Sequence, residues 1–322
     1  MGKIYFAPME GVTDSTYRQV IEKLYPQWDA LFSDFLRVPA VGRYPEKHIK
    51  KHFGLHQWEH EIERKKTILQ ILTAPDALTE QTVQQIQTLE IPFLDLNLGC
   101  PSKTVNRRAG GAALLGTPDE LWPLLSTIRK NFHGHFSVKM RLGLSCDKNF
   151  IPFVKKIADL GIDSITVHAR TRDGMYKVPA QWHYIKEAVQ AVNIPIIGNG
   201  DIWNALNAKQ MLDSTNCYGV MVARGAMKSP WIVSNFKRNH FAKLEAEELL
   251  LNIQEYFREL TQAYEKVGLK PLQIHRQFKN LGRYIFDELP DGATRKRNFL
   301  LSQNFNHMMD IIFFPTFFQS GY

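Results

Sequence analysis

Eight short apolar runs, each followed by a stretch of helical period, predict an α/β fold: a closed parallel (β/α)8 barrel, with an all-helical domain appended at the C-terminal end. Two further observations support it. The alternation stops after Trp231, where no strand run follows, and a length of 322 residues exceeds the ~250 of a typical barrel by about one small domain. The boundary is placed at residue 240, giving a barrel over 1–239 and a helical domain over 240–322.

The strand runs are Ile4–Ala7, Ala30–Asp34, Thr67–Leu72, Phe93–Asn97, Phe136–Met140, Ser164–His168, Pro195–Gly198 and Gly219–Val222. Helix signals fill the spacers. Asp14 stands before TYRQVIEKL as a cap, and helical stretches run over Asp76–Leu89, Pro118–Ile128, Phe150–Leu160, Trp182–Val192 and Asn204–Leu212. Beyond the barrel, Leu244–Tyr264 is a long amphipathic helix. A loop at Gly268–Pro271 precedes a second helix, and Pro290-Asp291-Gly292 separates a third.

Composition bounds the function. Apolar residues make up 44% and charged residues 22%, ordinary values for a chain with a sizeable core. The three cysteines, Cys100, Cys146 and Cys217, form no CxxC pair, which speaks against a disulfide framework or a structural zinc site and for a reducing cytoplasm. An apolar strand begins almost at once, so no signal peptide is expected, and Met308–Phe318 is too short and too interrupted to span a bilayer. A monomer is expected. The net charge of +8 favours a polyanionic partner such as nucleic acid.

In such a barrel the active site lies at the carboxyl ends of the strands. Those positions hold Pro8, Met9 and Glu10; Asp34 to Arg37; Gln70; Asn97 and Cys100; Lys139 and Arg141; His168 and Arg170; Asn199, Gly200 and Asp201; and Ala223 and Arg224. The last two ends are small or Gly-rich, as a phosphate seat requires, because the backbone must come close and offer N–H donors. Lys139 and His168 ask for a second anionic or electron-rich part of the ligand. A phosphorylated planar cofactor, notably FMN, fits all of these; a sugar phosphate explains the seat but not Met9 and Gln70 beside it. The central stretch is FLDLNLGCPSKTVNRRAGG, residues 93–111, which places Cys100 just past a strand end between Gly99, free to take φ > 0, and Pro101. A cysteine beside a glycine is more often a small buried hydrophobe than an active thiol, so its neighbours carry the case.

The segments APMEGVTDSTYR, LDLNLGCPSKTVN followed by AGGAALL, SVKMRLG, ITVHART, IPIIGNGDIW and VMVARGA resemble, in order, the motifs of the tRNA-dihydrouridine synthases. PMEGV, SDFLRV and GCPSKTVN are most similar to the C-type subfamily, which acts on uridine 16 of the tRNA D-loop. The chain departs from the family at Ala223, where a Gly commonly precedes the Arg, and at Arg107-Arg108, which replace smaller residues. The resemblance implies FMN as resident cofactor, NADPH as reductant and tRNA as substrate. It implies that reduced FMN gives hydride to C6 of the uracil while Cys100 gives a proton to C5. It places Pro8, Met9 and Glu10 beside the flavin, Gln70 and Lys139 on its ring, and Asn199, Gly200, Asp201, Ala223 and Arg224 at its phosphate end, with His168 close by. Asn97 is expected to offer both a donor and an acceptor to the uracil edge.

For RNA contacts, Ile274, Phe278, Leu281 and Ile285 share one helix face, and Arg276, Lys279 and Arg283 the opposite one. Arg295 and its basic neighbours follow, and Arg37, Arg141, Arg170 and Lys177 are candidates near the barrel mouth. A solvated basic face explains the helix equally well without the resemblance. His48, His52, His56 and His60 recur every fourth residue, but Gly54 breaks the pattern and no carboxylate joins its early part, so a metal site is not expected. Met175-Tyr176 either packs on a base or closes a loop. Two other functions share part of this pattern: an FMN barrel oxidoreductase acting on a small molecule such as dihydroorotate, which needs no basic appendage, and an RNA-binding module without catalysis, which needs no Cys100, Lys139 and His168.

Overall fold

The computed structural model describes residues 2–102, 105 and 109–314. Its strands are β1 (Lys3–Phe6), β2 (Ala30–Phe32), β3 (Leu36–Arg37), β4 (Thr67–Leu72), β5 (Phe93–Leu98), β6 (His135–Arg141), β7 (Ser164–His168), β8 (Ile196–Asn199) and β9 (Gly219–Val222). All pairings are parallel, and β1 pairs with both β2 and β9 while β2 pairs with β4, which closes an eight-stranded barrel. The extra strand β3 is a two-residue return to the ladder beside β4, with Leu36 opposite Ile71. Asp34, expected within the second strand, lies instead between β2 and β3. Its carbonyl accepts from His52 Nε2 at 2.8 Å and its carboxylate lies 3.9 Å from buried Arg18, so partners from other elements take it from the ladder.

Period-two alternation sorts each strand into two faces. Ile4, Phe6, Leu69, Ile71, Leu94, Leu96, Val138, Ile165 and Val167 point out and join the main core under the helices. Ala7, Ala30, Phe32, Ile68, Ile197 and Met221 form a separate apolar cluster, against which Tyr5 and Phe93 pack. Beyond that cluster, toward the carboxyl ends of β4 to β8, inward positions are polar: Gln70, Asp95, Asn97, Ser137, Lys139, Thr166, His168 and Asn199. Burying so many polar groups along one barrel wall costs stability unless they bond one another or a ligand.

The six expected barrel helices are present, and Asp14 caps the first, Ser15–Leu24, by accepting from Tyr17 N at 2.8 Å. After the barrel come Ala246–Lys266, Pro271–Leu281 and Gly292–Leu301, and then a fourth helix, Phe305–Phe313, which overlaps the first part of the apolar run Met308–Phe318. Phe257, Phe278, Phe286 and Phe299 form their aromatic centre. The rest of that run, residues 315–318, lies outside the described residues. Among those described, no helix is long and apolar enough to cross a membrane.

These helices dock on the first barrel helix through hydroxyls. Tyr256 OH donates to Tyr17 OH at 2.9 Å, and Tyr264 OH donates to Asp14 Oδ2 at 2.9 Å. Burial pushes the Asp14 carboxyl above its ordinary range, against the pull of these donors. Removing one donor leaves a buried carboxylate less satisfied. Tyr264→Phe is therefore expected to cost about 2 kcal/mol in denaturant unfolding, and Tyr256→Phe, which breaks a neutral pair, about 1 kcal/mol.

Candidate active site

At the carboxyl ends of the strands a cavity of about 510 Å³ receives residues from every part of the barrel. It is lined by Cys100, Asn97 and Arg141, and by all of the cofactor candidates: Pro8, Met9, Glu10, Gln70, Lys139, His168, Asn199, Gly200, Asp201, Ala223 and Arg224. Phe35, from the Asp34–Arg37 strand end, also lines it, as do Tyr176, Trp203 and Met221, which carry no site assignment from the sequence. The aromatic ending IPIIGNGDIW was the available signal for Trp203. Tyr176 gave only an ambiguous one.

The turn carrying Cys100 is built from Asn97. Its Oδ1 accepts from the backbone N–H of Gly99 at 3.0 Å and of Cys100 at 2.9 Å, and this local bonding curls the chain at the strand end. Gly99 is not among the residues with positive φ, so the side chain of Asn97 rather than a left-handed glycine makes this turn. Asn97 Nδ2 donates to Gln70 Oε1 at 2.7 Å. With both lone pairs of Oδ1 engaged, Asn97 has one N–H left for a ligand, so the expected donor-and-acceptor pair narrows to a donor. The Cys100 thiol is half-buried, and burial pushes it above the ordinary thiol range, so it is protonated at neutral pH.

On the opposite wall Lys139 donates to Asn199 Oδ1 at 3.3 Å, and Asn199 Nδ2 donates to the Met221 carbonyl at 2.7 Å. Burial, with Arg141 adding repulsion, holds the Lys139 ammonium down to about 8. His168 is held well below its ordinary value by burial and by Arg141, Lys139 and Arg170, so its ring is neutral at pH 7. At the small-residue end Gly200 and Asp201 take φ of 123° and 52°. Asp201 Oδ2 accepts from Arg170 at 2.5 Å and from Ala180 N at 2.8 Å, while Oδ1 lies 3.5 Å from Arg224. Burial alone would raise this carboxyl, but the bonds from Arg170 and Ala180 outweigh it and hold it below the ordinary value. Arg224 lies between two rings, 4.2 Å from the Tyr176 centroid and 4.6 Å from that of Trp203.

The RNA candidates separate into groups. Arg141 and Arg170 are 2% and 3% exposed. Arg141 binds the carbonyls of Gly99 and Thr171, and Arg170 binds Asp201 and the Val178 carbonyl. Arg170 is thus a brace behind the cavity rather than an open phosphate contact, whereas Arg141 reaches the cavity wall. Arg37 lines a neighbouring cavity of about 580 Å³ with Tyr44, Asp76 and Glu120, which takes none of the cofactor candidates. Lys177, Arg276 and Arg283 are exposed, and Lys279 is half-buried. Arg295 is corrected: it is 7% exposed, its Nε bonds both carboxylate oxygens of Asp291, and its guanidinium reaches the Ile311 carbonyl. It pins two helices together and faces no open surface. Arg107-Arg108 lie outside the described residues. The histidine series is dispersed: His48 stacks on Tyr44, His52 bonds Asp34, and His56 and His60 pair ring to ring at 4.0 Å. Among the described residues no group of three metal-ligating side chains exists.

Asp95 is the polar residue that the sequence reading passed over. It is fully buried beneath the cavity, and burial pushes its carboxyl up to about 7 despite bonds from Ser137 and Gln70. The folded state therefore binds a proton more tightly than the unfolded chain, whose carboxyl titrates near the ordinary 3.8. Between these two values stability falls as pH rises. Asp95→Asn removes that slope, so unfolding at pH 5 and pH 7 should differ by about 2 kcal/mol less in the variant than in the parent.

The dihydrouridine synthase (Dus) family model matches residues 5–299. A tRNA-dihydrouridine(16) synthase of Ralstonia nicotianae is 32% identical over 234 residues, covering 72% of this chain and 72% of the relative. A tRNA-dihydrouridine(16) synthase of Shewanella oneidensis is 31% identical over 296 residues, covering 91% of each. Among solved structures, histamine dehydrogenase from Rhizobium sp. 4-9 aligns with a TM-score of 0.55 at 11% identity, over 81% of this chain and 49% of that one, a likeness of fold. The family model spans most of the chain and these relatives exceed 30% identity over 72% and 91% of it, so this protein belongs to the dihydrouridine synthase family, the flavin-dependent oxidoreductases that its motifs resemble.

Proposed function

We propose that this enzyme reduces the C5–C6 double bond of a D-loop uridine in tRNA, at position 16, with FMN as resident flavin and NADPH as reductant. The observation that carries the reading is the convergence, in one cavity, of a protonated thiol at Cys100, an amide donor at Asn97, and a wall of ring-binding and phosphate-binding groups. The donor set fits FMN. Gln70 and Lys139 suit the carbonyl and nitrogen edge of a planar ring, Met9 and Pro8 offer apolar flanks, and Arg224 beside the Gly200–Asp201 turn suits a phosphate. The cavity, at about 510 Å³, falls in the range of cofactor sites.

A bound reduced flavin supplies hydride to C6 of the uracil. The protein supplies the rest. Asn97 holds the base through its remaining N–H, and the Asn97 turn holds Cys100 over it. Cys100 gives its proton to C5, and because burial stabilises the neutral thiol the acid form persists at neutral pH. A uridine must leave its tRNA stack to reach this depth, which calls for wide RNA contacts. The segment with Arg276, Lys279 and Arg283 suits them. It borders the cavity rim, since Asn280 approaches Gly11 and Tyr284 packs 6.5 Å from Trp203.

The test is mass-mapped dihydrouridine in unmodified tRNA after incubation with the protein, FMN and NADPH. Reduction at uridine 16 alone is expected. Reduction at another D-loop position would overturn the assigned site, and no reduction despite bound FMN would shift the assignment to a small-molecule oxidoreductase.

A further inference from the structure

Of the three side-chain amides that line this cavity, Gln70 and Asn97 bond each other, and an amide is a poor positioning device unless something decides which end is oxygen and which is nitrogen. Here the decision is made below the cavity. Asp95 is fully buried in the barrel interior, one inward position beneath Asn97 on β5 and opposite Gln70 on β4. Its Oδ2 accepts from Gln70 Nε2 at 2.7 Å, and its Oδ1 accepts from Ser137 Oγ at 2.6 Å. The Gln70 amide is turned nitrogen-down by that bond, so its oxygen faces Asn97 and accepts from Nδ2 at 2.7 Å. Asn97 is turned in the same sense, and its oxygen receives the N–H groups of Gly99 and Cys100. Each bond in the series permits only one orientation of the next amide. The direction runs from the Asp95 oxygen that accepts from Gln70 to backbone N–H groups that only donate.

We propose that Asp95 is a positioning residue for the reaction: by accepting from Gln70 it sets the orientation of the Gln70 and Asn97 amides, and through Asn97 it places the Cys100 turn. Asp95 touches neither substrate nor cofactor in this scheme. It acts on the cavity by holding the Gln70 and Asn97 amides in one orientation, which leaves one N–H on Asn97 for a ligand, and by holding the Cys100 turn through Asn97. The role deepens the function proposed above and rests on it for its activity arm, but not for its thiol arm. Fully buried partners make the series sensitive: Gln70 is wholly buried and Asn97 is 8% exposed, so no solvent replaces a lost acceptor. A small displacement of a reacting group lowers turnover by one to two orders of magnitude.

The test compares Asp95→Asn with Asp95→Ala and Asp95→Ser in the full-length, flavin-loaded protein. The Asn substitution removes the charge but can still turn its oxygen to Gln70 while its amide donates to Ser137. Alanine removes the acceptor, and serine is too short to reach Gln70, giving a second acceptor-less variant should alanine unfold. Two readouts are taken: kcat and KM for dihydrouridine formation in tRNA, and the rate of iodoacetamide labelling at Cys100 resolved by peptide mass mapping, which keeps it apart from Cys146. For the acceptor-less variants kcat is expected to fall about 10–100-fold, with KM for tRNA within about threefold because the distant RNA contacts are untouched. Cys100 labelling should change at least fivefold, and the Asn variant should stay within about threefold of the parent in both readouts. The proposal is overturned if alanine and serine leave Cys100 labelling and kcat unchanged, or if the Asn variant falls as far as they do, which would assign the effect to charge. If the parent protein reduces no uridine, the proposed function fails by itself, and the labelling comparison still decides the role of Asp95.

Discussion

Cys100→Ala is expected to lower dihydrouridine formation by about 10²–10⁴-fold while leaving the protein folded and yellow with bound flavin. The range is that of removing a positioned general acid, and no other cysteine can substitute. Cys217 is buried against the Gly219 carbonyl, and Cys146 is exposed and does not line the cavity. Folding should hardly respond, because Cys100 forms no disulfide and alanine keeps the backbone bond to Asn97, so a loss of ~1 kcal/mol or less is expected. The pH profile gives an independent check. Burial raises the thiol, so the limb that depends on Cys100 should fall only above the ordinary thiol range, apart from any loss of the Lys139 charge at about 8. A fully active alanine variant would remove Cys100 from the reaction.

Asp201→Ala is expected to be the most damaging change to stability among the cavity residues. Its carboxylate is the anion for Arg170, which is 3% exposed and has carbonyl acceptors but no other acid within ion-pair distance among the described residues. Breaking a buried pair by removing one partner strands the other charge; with Asp201 itself a quarter exposed, the cost is set at about 2–4 kcal/mol. Alanine also tolerates φ of 52° less well than aspartate does, adding about 1 kcal/mol. Asp201→Asn keeps an acceptor and an easy left-handed backbone, so its loss should be smaller. Thermal unfolding of both variants, with flavin content of the purified proteins, tests the prediction. Equal stability of parent and Asp201→Ala would show that Arg170 needs no anion.

The order of elements was readable because each strand carries its own period of two and each helix its own cap or apolar stripe. Asp14 illustrates this: a cap residue before an apolar-periodic run is a local signal, and it caps as expected. The elements that departed from expectation are those decided by distant partners. Asp34 leaves the ladder for His52 and Arg18, which are remote in sequence. Arg295 reads as a surface cation in a basic triplet, yet it lies one helical turn from Asp291 and beneath the Ile311 carbonyl. Arg170 sits at a strand end, where a substrate contact is expected, and is turned inward by the acid of the next strand end.

From the sequence alone came the number and order of the barrel strands, the placement of chemistry at their carboxyl ends, and the motifs that mark the dihydrouridine synthase family. These follow from short-range facts: alternation, caps, glycines, and the rule that neighbouring parallel strands end on the same side. Which polar groups bond one another was settled only in three dimensions. The Asp95–Gln70–Asn97 series needs Gln70 to stand opposite Asp95 on the neighbouring strand, and Asp95 and Asn97 to turn inward together. A hydrogen bond is made or missed within a few tenths of an ångström, and strand register and barrel closure set distances on that scale.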